Sequence, residues 1–338
     1  MKVLSLVGTV AAATVLAGAA SAATLDDVKA KGFVQCGVAT GVPGFAAADA
    51  NGRWEGFDVA VCRALAAAIF GDSEAVKFTP LSAQNRFTAL SAGEVDLLAR
   101  NTTWTFSRDV ELKFNFVGVN YYDGQGFLVP KELGVTSAKE LDGATVCIQT
   151  GTTTELNLAE FFRVNNMTYE PVPIATNAEA VAQYVAGACD VYTTDASGLA
   201  SGRATFENPG DHIILPEIIS KEPLGPLVRH GDDQWMDIVR WTLNALIAAE
   251  EYGVTSANVA EMAKGTDNPE INRLLGSDGN LGETLGLSAD WAAKAIAAGG
   301  NYGEIFEKNI GENTPIGLAR GLNAQWTQGG LQYSPPFR

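Results

Sequence analysis

Residues 100–109 carry two arginines, three threonines, a serine, an asparagine and a tryptophan in ten positions. They follow the apolar run Val95-Asp96-Leu97-Leu98-Ala99. A guanidinium forks onto both oxygens of a carboxylate, and hydroxyl and backbone N–H groups fill the remaining lone pairs. The stretch therefore holds the chemistry for gripping an organic acid. Taken alone, it describes a solvated loop equally well, with Arg108 paired to its neighbour Asp109. A second run, Thr150-Gly151-Thr152-Thr153-Thr154, opens onto a helical pattern and reads either as a further set of donors or as a capping run. Asp195 ends a strand-like segment, where it could take a cation or cap the following helix.

Other chemistries have little to stand on. The chain has two histidines, His212 and His230, in different segments, and no Cys-x-x-Cys, His-Glu-x-x-His or Gly-x-Ser-x-Gly run, so neither a metal nor a cofactor is expected. The formal net charge of −16 argues against nucleic acid and anionic membrane as partners, though a local pocket can still carry the opposite sign. Residues 1–22 read as a secretory signal: Lys2, then an Ala- and Gly-rich apolar stretch, then Ala20-Ser21-Ala22 as a small-x-small cleavage site. The mature chain is expected outside the cytoplasm. Four cysteines suit an oxidising compartment and allow three pairings. Cys36–Cys62 with Cys147–Cys189 keeps each bridge within one local unit and is the preferred pairing.

The elements that must position these groups alternate. A helix over 24–31 ends at Gly32, strands are expected over 33–39, 75–79 and 95–99, and helices over 56–70 and 85–92. Strands over 112–117 and 125–130 follow, and then a fresh alternation: strands at 144–149, 169–173, 189–194 and 212–215, helices at 155–164 and 177–188. Two α/β units in series imply two lobes, each a mainly parallel sheet flanked by helices. Ligands of such sheets sit beyond the carboxyl ends of the strands, where the loops at 40–45 and 100–109 fall. The Pro- and Gly-containing run Lys221-Glu222-Pro223-Leu224-Gly225-Pro226 suits a return crossing. Helical patterns continue to about 309 with no strand pair for a third sheet, so the C-terminal part should pack on the first lobe.

With this organisation in hand, the chain resembles the periplasmic solute-binding proteins of amino-acid ABC importers. Gly56-Phe57-Asp58-Val59-Ala60-Val61-Cys62-Arg63-Ala64-Leu65 is similar to that family's Gly-Phe-Asp helix, with Ala60 where an acidic residue is usual. Arg100-Asn101-Thr102-Thr103-Trp104-Thr105, Cys147 to Leu158, Asp190 to Asp195 and Lys221 to Pro226 resemble the general L-amino-acid-binding type. The resemblance implies a type II two-lobed fold with a two-segment hinge: lobe 1 from 23–127 and 229–338, lobe 2 from 128–228. It implies Arg108 on the ligand α-carboxylate, Thr103 beside it, Thr152 and Thr153 as donors from the second lobe, and Asp195 on the α-ammonium. Phe45 is the nearest match to an aromatic of relatives, and Ala83 stands where another aromatic is found. Gln149, Arg100 and Asn101 are candidates to read the side chain. The implied partners are a free L-amino acid, with glutamate, glutamine, aspartate and asparagine favoured, and inner-membrane ABC permease subunits, for a monomer in the periplasm. The competing class is a secreted enzyme on the same scaffold, resembling cyclohexadienyl dehydratase. It would need a tuned general acid or base in the cleft, and the pocket loops supply no histidine.

Overall fold

The computed structural model describes residues 23–338; the expected signal segment 1–22 lies outside the described residues. Two five-stranded sheets carry the fold. In the first, the order is Val76–Pro80, Val34–Val38, Leu97–Leu98, Leu227–Arg229, Phe114–Phe116; in the second it is Tyr169–Ile174, Ala144–Gln149, Val191–Asp195, Gln125–Pro130, His212–Ile214. Within each sheet one strand opposes the other four: Leu227–Arg229 in the first and Gln125–Pro130 in the second. Each odd strand directly follows a crossing between lobes. The crossings themselves, Tyr121–Asp123 and Glu222–Leu224, pair antiparallel as a two-stranded hinge, with Glu222 opposite Asp123. Gly225 follows, and a Cβ there would lie 2.0 Å from the Gly118 carbonyl oxygen, so the two hinge backbones need that glycine to approach.

The hinge corrects the expected lobe boundaries by a few residues. Residues 125–127 belong to the second sheet, because Gln125 pairs with Asp195 and the strand is taken up whole. Leu227 and Val228 belong to the first sheet, opposite Phe116 and Asn115.

Helices cover both faces of each sheet, as alternating elements with apolar stripes require. In lobe 1 the helix Phe57–Phe70 buries Val59, Cys62, Leu65 and Ala66 on one face, while Ala89 and Leu90 of Arg86–Ser91 join Leu98, Phe114 and Leu227 on the other. In lobe 2, Leu158 and Phe162 of Thr153–Val164 pack on Phe127, Val146 and Ile148; Ala180, Tyr184 and Leu199 pack on the opposite face with Tyr192. The bridges are Cys36–Cys62, strand to helix in lobe 1, and Cys147–Cys189 in lobe 2, with Cα atoms 6.4 and 5.6 Å apart. The local pairing is the one found.

The C-terminal part packs on lobe 1. Trp291, Ala292, Ala295 and Ile296 share one core with Phe57–Phe70, and the Phe306 ring stacks on Tyr121. Its last segment reaches the hinge: the Asn323 carboxamide accepts from the Tyr122 N–H (2.7 Å) and donates to the Tyr122 carbonyl (3.1 Å), as a neighbouring strand would. Among the described residues no helix is long and apolar enough to cross a membrane.

Candidate ligand-binding site

The carboxyl ends of both sheets meet at one cavity between the lobes. Its wall includes Val42, Arg86, Arg100, Asn101 and Thr103 from lobe 1, and Gln149, Thr152, Thr153, Thr154, Asn177, Thr194, Asp195, Ser197 and Gly198 from lobe 2. The lobes are closed on it. Thr103 and Thr153 hydroxyls lie 3.3 Å apart, Gln84 Nε2 donates to Thr150 Oγ1 at 2.8 Å, and the Ser201 hydroxyl donates to the Pro43 carbonyl at 2.7 Å.

The wall is strongly polarised. Arg86 opens its helix at 2% exposure; Nη1 donates to Thr102 Oγ1 at 3.3 Å, the guanidinium lies 4.7 Å from the Phe87 ring centroid, and Nε has no partner. Arg100 Nε is likewise buried without a partner. Neither guanidinium is within ion-pair distance of an acid among the described residues. Burial, and then the like charges of Arg100 and Arg108, hold the Arg86 pKa well below the usual arginine range. Burial lowers Arg100 to about 10, against the opposing pull of Asp58. Each is a cation kept out of water with little to compensate it, a costly arrangement that an incoming anion relieves.

Asp195 supplies the opposite sign. It stands at the N-cap of Ala196–Arg203, yet its side chain makes no capping bond. Burial, and then the neighbouring carboxylates Asp123 and Glu222, push its pKa well above the ordinary range, while Arg108 and Arg86 oppose the shift. An ammonium beside it would reverse that direction. On the same lobe, after the neighbouring strand, Thr152 caps Thr153–Val164, accepting from the Glu155 N–H at 3.3 Å. The first N–H groups of that helix thus lie at the cavity, where they favour an anion.

Not every expected residue reaches the wall. Asn101, at φ 48°, and Gln149, whose amide donates to the Ala175 carbonyl at 2.9 Å, both line it. Arg108 lies behind it on the turn Ser107–Glu111. It is buried, donates from Nη1 to the Thr103 carbonyl at 2.8 Å, and is near enough to Glu222 and Asp195 for both to raise its pKa against burial. Its neighbour Asp109 instead accepts from Trp104 Nε1 at 2.6 Å. Phe45 is a correction: its ring, 1% exposed, is held edge-on between Phe57 and Tyr121, and Val42 supplies the wall at that loop. Arg86, Asn177 and Thr194 were not singled out in the sequence. An arginine opening a short helix with no other charged residue, just after a strand, was the available signal for the first.

The sequence profile of bacterial extracellular solute-binding proteins, family 3, matches residues 34–258. The glutamate/glutamine/aspartate/asparagine-binding protein BztA of Rhodobacter capsulatus is 67% identical over the full length of both chains. The general L-amino acid-binding periplasmic protein AapJ of Rhizobium johnstonii is 62% identical over 100% of this chain and 99% of its own. A solved ABC transporter periplasmic binding protein from Brucella ovis, with glutathione bound, superposes with a TM-score of 0.92 at 59% identity, covering 94% of this chain and all of that one. With the two sheets, the paired hinge strands and the cavity between them, these likenesses give the family: the chain belongs to the bacterial extracellular solute-binding proteins, family 3.

Proposed function

We propose that the protein captures an L-amino acid between its lobes, outside the cytoplasm, and hands it as a monomer to the permease subunits of an ABC importer. The observation that carries this reading is charge placement. An unengaged carboxylate, Asp195, stands in lobe 2 across the cavity from the buried guanidinium groups of lobe 1. A zwitterion bridges them: its ammonium goes to Asp195, and its α-carboxylate to the N–H groups at Thr103 and Thr153, with the Arg108 guanidinium beside Thr103 supplying the positive charge. Both ends are satisfied together only when the lobes close, so the ligand favours the closed state by differential affinity. Even a free protein biased 99:1 toward the open form would need only about 5.5 kcal/mol to be reversed, the scale of one buried charge-assisted contact at each end.

The side chain is read by Arg86 and Arg100, with Asn101 and Gln149 beside them. Two buried cations without an ion-pair partner favour glutamate and aspartate; the amides of glutamine and asparagine follow. The names of the relatives from Rhodobacter capsulatus and Rhizobium johnstonii support this range. Glutathione, bound in the Brucella ovis relative, is a γ-glutamyl compound with two carboxylates and belongs in the same panel. A thermal-shift screen of the common L-amino acids with calorimetry on the hits tests the reading, since a ligand of the native state raises apparent stability. Glutamate or aspartate should head the ranking; no response to any amino acid refutes it. Incubation with prephenate or arogenate should release no aromatic product, and turnover would favour the enzyme class.

A further inference from the structure

One buried carboxylate stands on the hinge itself: Glu222, 1% exposed. Its Oε2 accepts from the Thr103 hydroxyl at 2.5 Å and the Thr153 hydroxyl at 3.0 Å. Its Oε1 accepts from Asn157 Nδ2 at 2.7 Å and the Ser220 hydroxyl at 2.6 Å. Four donors fill the four lone-pair positions of one carboxylate. The donors come from both sides of the cleft: Thr103 from the lobe 1 loop, Thr153 and Asn157 from the first turns of a lobe 2 helix, and Ser220 from the end of lobe 2.

A hydroxyl carries a single proton. Those of Thr103 and Thr153 are both committed to Glu222, so neither can also be given to a ligand carboxylate. What these two threonines can offer a ligand anion is backbone N–H. Their hydroxyls serve a different purpose, which is to tie the lobes together through a group that belongs to the protein. We propose that Glu222 is a positioning residue that latches the lobes: it draws Thr153 and Asn157 of lobe 2 up to Thr103 and holds part of the population closed before any ligand arrives. Thr103 is already held at the hinge, where its backbone bridges Leu224, so the latch forms when the lobe 2 donors reach the Glu222–Thr103 pair.

Such a device acts on affinity through the fraction of binding-competent protein, since the apparent dissociation constant is the intrinsic one divided by that fraction. A group that touches the ligand changes the ranking of ligands. A latch changes all of them by the same factor. This second consequence rests on the amino-acid reading above; the first, ligand-free closure, does not.

The test compares wild type, Glu222→Met and Asn157→Leu. Asn157 is not part of the cavity wall, so its replacement removes one lobe 2 donor from the latch and carries the test if the Glu222 variant fails to fold. Small-angle scattering of the ligand-free proteins should give a wild type close in radius of gyration to its glutamate-saturated form, and variants displaced toward a larger value, Glu222→Met the more. Calorimetry with glutamate, glutamine, aspartate and asparagine should show a common loss of about tenfold for Glu222→Met, with the ranking kept. Equal radii for the ligand-free wild type and the variants overturn the latch. So does a loss confined to some of the four ligands. If none of the four binds, the amino-acid reading fails and the scattering comparison still decides the latch.

Discussion

Replacing Arg86 by methionine should move stability and affinity in opposite directions. The guanidinium is buried at 2% exposure, Nε is unpartnered, and its one hydrogen bond is a 3.3 Å contact to a threonine hydroxyl. Burial and two like-charged neighbours depress its pKa, with Asp195 the opposing charge. The ligand-free fold therefore carries an uncompensated cation, and a methionine of similar length removes that cost while keeping contact with Phe87. A gain of about 1 kcal/mol, or about 2 °C in the ligand-free melting temperature for a protein of this size, is expected. Binding responds the other way. Truncating one partner of a buried charge pair costs about 2–5 kcal/mol, so glutamate affinity should fall by roughly a hundredfold or more. Glutamine, which offers an amide oxygen and no charge, should lose roughly tenfold at most. Scanning calorimetry and titration calorimetry on the two proteins give both readouts. A ligand-free variant less stable than wild type, or equal losses for glutamate and glutamine, would refute the assignment of Arg86 to a second carboxylate.

Arg108→Ala should weaken every amino acid by at least about a hundredfold, roughly 3 kcal/mol, because the α-carboxylate is common to all; calorimetry showing threefold or less rejects that role. Asp195→Asn should weaken glutamate far more than its deaminated analogue, 2-oxoglutarate, and equal losses contradict the ammonium contact. The raised pKa of Asp195 gives a pH signature. A protonated carboxyl must release its proton to receive the ammonium, so affinity should fall as pH is lowered through the ligand-free pKa. Titrations in buffers of different ionisation heat, repeated as pH is lowered, should show proton release that grows in wild type and not in Asp195→Asn; proton uptake would reverse the assignment. Asp58, pushed up to about 6 chiefly by burial, acts on stability in the opposite pH direction. Its folded pKa lies above its unfolded one, so its contribution is fully present below about pH 4 and is lost as pH rises through about 6; ligand-free melting should show that component between pH 4 and 7.

Much of this architecture was legible. The spacing of Val59, Cys62, Leu65 and Ile69 marks a helix, and glycines close several of the lobe 1 segments. The bridge partners lie close in sequence within units that fold locally. What was hidden depends on long-range pairing. Tyr121-Tyr122-Asp123 has no alternation to mark a strand, and its partner lies about a hundred residues on. The 112–117 strand shortens to Phe114–Phe116, because the turn carrying Arg108 extends to Glu111. Phe45 is spent on the core, since the Phe57 and Tyr121 rings already flank it. Thr103 and Thr153 stand in the cavity as their motifs imply, yet no local pattern announces that Glu222 takes their protons. A charged residue far away in sequence had to arrive between them.

The carboxamide of Asn323 stands beside Tyr122 as a third strand would, so a peptide about a third of the way along the chain is completed by a residue fifteen places from its end. Synthesis and export present these partners in order, the hinge peptide first and its support almost last. A polypeptide cut short by twenty residues would keep both sheets, both bridges and every cavity residue. Its defect would surface in the flexure between the halves and in the lobe 1 core, where Phe337 meets Trp241 and Trp291.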